Sequence, residues 1–311
     1  MITLLDPGPQ TTIQDLGRTG QLRFGIPASG AVDRFAFIVA NRLVGNADAA
    51  AAMECTLAGP RFTVEHACAV AVTGAQMPIT VNGTRAPAWT TLLLQPGDVV
   101  RLGAARTGLR GYVAISGGID APLVLGSRST YLRGRLGGLH GRALRKGDCL
   151  PVLACGMPRP WRLADCAIPR YPSEVLVKVV LGPQHDRFTA EGLATFLGTP
   201  YAMLPQSDRM GARLHGAPIA HAAGHDIVSD GIALGSVQVP GDGQPIILLL
   251  DRQSTGGYTK IATVCSFEID RLGQLRPGQT LRFEAVGIEA AHRMLREAVA
   301  MLEHLPREEC A

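Results

Sequence analysis

From residue 53 to residue 150 the chain is cut into short β-type runs by turn residues, and this punctuation restricts the fold more than any other feature. Runs at 53–57, 61–65, 69–73, 79–81, 91–94, 99–102 and 110–115 are too short for stable helices and, apart from the break at 66–68, are separated by segments containing Gly, Pro, Asn or Asp. Asn82-Gly83 has the composition of a two-residue hairpin turn, and Pro96-Gly97-Asp98 marks another reversal. Strands at this spacing build a barrel or a sandwich. The 37 Gly and 21 Pro in 311 residues, against 5% aromatics, point the same way.

A chain of this length exceeds what one core ordinarily organises. The segment 154–172, with Pro158, Pro160, Pro169 and Pro172, reads as a linker, which divides the chain into lobes at 1–165 and 173–311. The first lobe has one helix, near 33–44, capped by Asp33 or Ser29 and stopped at Gly45-Asn46. The second has a strand at 175–181, a short helix at 186–196, a strand at 280–284 and an amphipathic helix at 287–305. Ile288, Ala291, Leu295, Val299 and Leu302 lie on one face of that last helix, which is expected to pack on the sheet. The fold class is mainly β with a few helices.

Several function classes are set aside by what the chain lacks. A formal charge of +4, with Lys and Arg dispersed, does not favour nucleic acid. No apolar run approaches the roughly 18 residues of a membrane span, and no basic leader precedes the first strand, so a cytoplasmic protein is expected. Seven cysteines without a C-x-x-C pair suit neither a disulfide framework nor a zinc ribbon. His221 and His225 have helical ligand spacing, with Asp226, Glu54, Asp230 and His215 as further candidates, but Gly224 interrupts the helix and no metal is expected. Neither a P-loop nor a G-x-G-x-x-G loop is present, and no Met-Lys-Met marks a biotin carrier.

Chemistry concentrates in residues 229–264. Apolar runs at 236–239 and 246–250 flank Pro240-Gly241-Asp242-Gly243, and the second run ends in Asp251-Arg252-Gln253. Ser254-Thr255-Gly256-Gly257 reads as a hinge, after which Tyr258 and Lys260 open a third run at 261–264. Asp251, Arg252, Tyr258 and Lys260 are therefore expected in one small space. Arg252 suits a carboxylate in two-point fashion, and Lys260 or Tyr258 can handle a proton. Arg209, in the polar loop 207–211, completes an anion site in the same lobe. Loops at 126–130 and 134–141 add Arg128, Ser129 and free backbone N–H groups, the ingredients of an anion nest.

An ordered series of motifs then carries a family resemblance: Thr-Thr-Ile-Gln-Asp-Leu-Gly-Arg at 11–18, Pro-Ala-Ser-Gly-Ala-Val-Asp at 27–33, Gly-Gly-Ile-Asp at 117–120, Leu-Gly-Ser-Arg-Ser-Thr-Tyr at 125–131, Ser-Asp-Arg-Met-Gly at 207–211 and the whole of 229–264. It resembles the biotin-dependent carboxyltransferase family, which includes allophanate hydrolase subunit 2, the C subunit of 5-oxoprolinase and part of the urea carboxylase carboxyltransferase domain. The resemblance implies two cyclophilin-like β-barrel subdomains and a component of an ATP-dependent complex that opens 5-oxoproline to glutamate. Biotin-dependent carboxyl transfer to an amide or urea-type nitrogen is the alternative, and a non-catalytic regulatory or binding subunit is a third reading. A partner chain like the B subunit of 5-oxoprolinase is implied, together with its A subunit, with ATP acting at the level of the complex and biotin, if used, on a separate carrier. Under the enzymatic readings Asp251, Lys260 and Tyr258 are the catalytic candidates, and Arg252, Gln238, Arg209, Arg128 and Ser129 the substrate-binding ones.

Overall fold

The structure, a computed structural model, describes residues 1–310. The chain forms two compact units, one of Met1–Thr19, Ser29–Tyr171 and Leu305–Ala311, the other of Gly20–Ala28 and Pro172–His304. The units are interleaved, so the chain passes between them at more places than the proline-rich segment alone.

In the first unit one sheet has the strand order Cys149–Leu150, Ile2–Asp6, Arg61–Val64, Val99–Leu102, Ile79–Val81 and Thr84–Ala86. The other runs Gln10–Gln14, Ala52–Thr56, Arg110–Ile115, Cys68–Gly74 and Leu92–Leu94. Alternate residues point inward, and Ile2, Leu4, Phe62 and Val100 join Ile13, Met53, Val72 and Val113 in one buried cluster. The hairpin at Asn82-Gly83 pairs Val81 with Thr84, and both turn residues have positive φ, as a type I′ turn requires.

Strand Arg110–Ile115 is buried at every position because its sheet is covered on both faces. Val113 and Ile115 enter the core cluster, while Tyr112 meets Phe37 of helix Arg34–Leu43 edge to face at 6.0 Å. Asp33, rather than Ser29, caps that helix: its Oδ1 accepts the Ala36 N–H at 2.9 Å, an interaction worth about 1 kcal/mol.

The second unit is a closed barrel in the order Glu174–Leu181, Lys260–Val264, Ser236–Gln238, Ile246–Leu248, Gly211–His215, Tyr201–Met203 and Thr280–Ala285. A parallel ladder between Glu174–Leu181 and Thr280–Ala285 closes it, leaving no free edge. The helix expected at 186–196 is a 3₁₀ turn, His185–Arg187, followed by helix Ala190–Gly198, whose start is fixed by the Thr189 hydroxyl accepting the Gly192 N–H.

Two expectations in this unit change. Thr255–Tyr258 is not a hinge but a strand, paired with Asp226–Gly231 in a separate two-stranded ribbon. Helix Ile288–Glu303 packs through Ala291, Met294, Ala298 and Leu302, a stripe with its own helical spacing, and leaves Ile288, Leu295 and Val299 exposed.

Candidate functional site

In the second unit, strand Lys260–Val264 runs antiparallel to Ser236–Gln238. Val237 pairs with Ala262 but Gln238 pairs with Lys260, so Ile261 is an extra residue and the ladder bulges there. The bulge makes Lys260 and Gln238 cross-strand partners. Both are buried, with 3% and 2% of their surface exposed. A buried ammonium requires a counter-charge. Lys260 Nζ donates to Asp230 Oδ2 at 3.3 Å, and Asp230 is carried by the exposed ribbon, its side chain 58% accessible. The Gly231 N–H, at 2.6 Å, and then the Lys260 ammonium hold the Asp230 carboxyl below the usual carboxylate range.

Gln238 Nε2 is buried and has no hydrogen-bond partner among the described residues. It faces Gly256, where a β-carbon would stand 2.8 Å from Nε2 and 2.7 Å from Ile232. An orphaned buried amide costs about 1–3 kcal/mol, a cost that a ligand acceptor can remove. Gly256 is in turn the register partner of Asp230 across the ribbon, so Lys260, Gln238, Asp230 and Gly256 form one cluster.

The charged strand ends are engaged with one another. Arg209 Nε and Nη2 donate to the Asp251 carboxylate at 3.1 and 3.5 Å, and the Asp251 N–H donates to the Arg209 carbonyl at 2.8 Å, all buried. Arg252 donates through Nε to the Ile232 carbonyl at 3.1 Å and through Nη1 to that of Leu249 at 3.4 Å, and burial pulls its pKa down. Tyr258 lies on the ribbon, 41% exposed, with its ring edge-on to His225 at 6.4 Å. Of the four residues expected in one small space, Lys260 pairs with Asp230 beside Gln238, Asp251 pairs with Arg209, Arg252 bonds to strand-end carbonyls, and Tyr258 is exposed on the ribbon.

Arg128 and Ser129 belong to the first unit. There the Asp15 carboxylate accepts Ser127 Oγ at 2.6 Å, Ser129 Oγ at 2.5 Å, Arg128 N–H at 2.5 Å and Gly17 N–H at 2.7 Å. The Ser129 hydroxyl is fully buried in this knot, and the Arg128 guanidinium bonds to the Ala121 carbonyl and pairs with Asp120 at 3.1 Å. These two residues tie a loop in place.

The His221 ring lies 4.6 Å from that of Phe188, tilted by 34°, with Nε2 within 3.1 Å of the Val239 carbonyl and 3.2 Å of Thr259 Oγ1, and burial lowers its pKa, which favours the neutral ring. Among the described residues no cluster of three His, Cys, Asp or Glu side chains is placed to hold a metal ion. No helix among them is long and apolar enough to cross a membrane.

Asp230, a further ligand candidate in the sequence, stands instead beside Lys260. Its signal was its place within 229–264, but the pairing that delivers it to Lys260 runs between distant parts of that segment.

Lys260 has three N–H donors and one acceptor here, and Gln238 contributes an unused N–H. The pair suits a small molecule that presents negative charge and a carbonyl oxygen close together.

Known proteins carry the same frame. The chain is 34% identical to the 5-oxoprolinase C subunit of Haemophilus influenzae, over 99% of this chain and 98% of that protein. It is 32% identical to a segment of the urea amidolyase of Saccharomyces cerevisiae, covering 94% of this chain but 17% of the enzyme. The crystal structure of K. lactis urea amidolyase superposes with a TM-score of 0.93 at 31% identity, over 97% of this chain and 20% of that one. Residues 24–285 match the family described as the carboxyltransferase domain, subdomain A and B, and the chain belongs to that family.

Proposed function

We propose that this chain is the C subunit of an ATP-dependent 5-oxoprolinase, acting with a B-like subunit and an A-like one to open 5-oxoproline to glutamate. The observation that carries this reading is the end-to-end match with a protein of that name, which contrasts with the small share of the urea amidolyases that the chain covers. The seven cysteines are free, which suits the reduced cytoplasm.

5-Oxoproline presents a carboxylate beside a planar lactam. Lys260 supplies the positive charge for the carboxylate or for the negative charge that develops on the lactam oxygen when the carbonyl is attacked, before the C–N bond breaks, and Gln238 Nε2 donates to the carbonyl oxygen. Preorganisation comes from the strand ends, where the Arg209–Asp251 pair and the Arg252 hydrogen bonds fix the segment that leads from the barrel into the ribbon. Tyr258 is an outer contact, available to a partner chain or to a proton in transit. ATP is handled at the level of the complex.

Carboxyl transfer is the second reading, favoured by the family match and by the superposition on urea amidolyase. The donor set fits a carrier-borne biotin in one respect: its ureido carbonyl is an acceptor, and Gln238 is a buried donor without one. Biotin would supply an activated carboxyl group, and Lys260 would balance its charge.

Reconstituting the chain with its partner subunits and measuring ATP-dependent opening of 5-oxoproline tests the proposal. Turnover is expected to require this chain. Undiminished turnover without it removes the catalytic-subunit reading and leaves a regulatory or binding role, while carboxylation that depends on a biotin carrier selects the second.

A further inference from the structure

We propose that Asp230 is a built-in occupant of an anion subsite on Lys260, and that the carboxylate of a small organic acid displaces it on binding. This rests on the reading of the Lys260–Gln238 cluster as the ligand site, but not on which amide is turned over.

Four observations combine. Lys260 is buried in the barrel wall, yet its counter-ion does not come from the barrel strands, and Asp251, which follows strand Ile246–Leu248, is given to Arg209. The counter-ion comes from the ribbon, where strand Asp226–Gly231 is exposed at five of six positions and the ladder is irregular between Asp226 and Asp230. A single 3.3 Å contact from a largely exposed carboxylate is readily exchanged for another carboxylate, because the buried ammonium is paired both before and after the exchange. Beside the same contact, under Gly256, Gln238 Nε2 is a buried donor without an acceptor.

A side-chain rotation of Asp230 towards solvent therefore uncovers two donors of complementary kind. The ligand class follows: a carboxylate with a carbonyl or second oxygen acceptor close to it. No bond is made or broken, and the ligand carboxylate takes the place of the Asp230 carboxylate on Lys260 Nζ.

The chain has three lysines, Lys146, Lys178 and Lys260, which makes amine footprinting direct. Brief acetylation with an N-hydroxysuccinimide ester, quantified by peptide mass spectrometry, is run on wild type and on Asp230→Ala, alone and in the reconstituted complex. Lys146, which is exposed, is the internal standard. In wild type Lys260 is expected to react slowly, and in Asp230→Ala faster. Acetate or 5-oxoproline restores protection in the variant with an affinity up to about fivefold tighter than in wild type, because no internal carboxylate competes. Uncharged 2-pyrrolidinone gives no protection. Equal labelling of Lys260 in the two proteins, or carboxylate binding that is unchanged or weaker in Asp230→Ala, overturns the proposal. Protection by acetate without protection by 5-oxoproline supports the subsite and counts against the substrate reading alone. Asp230→Ala removes the counter-charge of a buried ammonium, so its melting temperature is expected to fall, and recovery of that loss by acetate or 5-oxoproline, with the labelling of Lys178 unchanged, separates displacement from unfolding.

Discussion

Replacing Asp251 with Asn tests whether the Arg209–Asp251 pair is framework or chemistry. Both side chains are more than nine-tenths buried and meet through two contacts, at 3.1 and 3.5 Å. Removing one partner of such a pair leaves the other charge in a poorly solvated place, at a cost of about 3–5 kcal/mol. For a unit of this size that corresponds to a fall in melting temperature of about 6–20 °C. The exposed pair Arg159–Glu309, although shorter at 2.7 Å, provides the contrast: Arg159→Ala is expected to cost about 0–1 kcal/mol, because solvent already competes for both charges. Scanning calorimetry or circular dichroism measures each variant. The double substitution Arg209→Met with Asp251→Leu should recover much of the loss, since an apolar pair of similar volume needs no counter-charge, giving a coupling of about 1.5 kcal/mol or more. The reasoning fails if Asp251→Asn melts within a degree or two of wild type. It fails in a more instructive way if turnover is lost at unchanged stability, which would return Asp251 to the reacting groups.

The remaining predictions use the same assays. Lys260→Met should reduce turnover by about 100-fold or more, as expected when a charge-stabilising donor is lost, while the cooperative melt is retained; turnover within threefold of wild type would exclude Lys260 from the site. Gln238→Met should leave stability unchanged or raise it by about 1 kcal/mol, because it removes an orphaned buried donor, yet it should weaken substrate binding; a destabilised protein with normal KM would contradict both halves. Gly256→Ala places a methyl group against Gln238 Nε2 and Ile232 and is expected to impair turnover more than stability. Asp48 and Asp148 are held below 3.8, first by hydrogen bonds from Arg42 and Arg142 respectively. Their stabilisation is therefore complete above that value and disappears as pH falls through the lowered ones. The difference in melting temperature between wild type and Asp48→Asn should shrink over that acid range, and a difference that stays constant would refute it.

How legible the molecule was depends on the range of the interaction concerned. The strands between residues 53 and 115 were readable because local alternation and turn chemistry agree there, as at Asn82-Gly83. Helix Arg34–Leu43 was readable for the same reason, although choosing Asp33 over Ser29 as its cap required geometry. Thr255–Tyr258 was not, because a Gly-Gly pair locally favours a turn and becomes a strand only when Asp226–Gly231 lies beside it. The proposed site within 229–264 shows in the sequence as a cluster of polar strand ends. Its internal pairing was not, since a single bulged residue, Ile261, decides that Lys260 faces Gln238, and a bulge leaves no mark in the order of residue types. The terminal helix shows the limit of periodicity: two overlapping apolar stripes existed, and packing used the one built from Ala291 and Ala298.

The return of the chain end to the first unit has a consequence for synthesis. Strand Trp161–Leu163 is paired by Arg307–Glu309, with Arg162–Glu308 at 2.5 Å and the Arg307 guanidinium 4.7 Å over the Trp161 ring. On the ribosome that strand is complete about 150 residues before its partner is translated, so its edge stays open while the whole barrel unit is made. The nascent first unit must wait with an unpaired edge, and a chain cut after the barrel would keep it permanently.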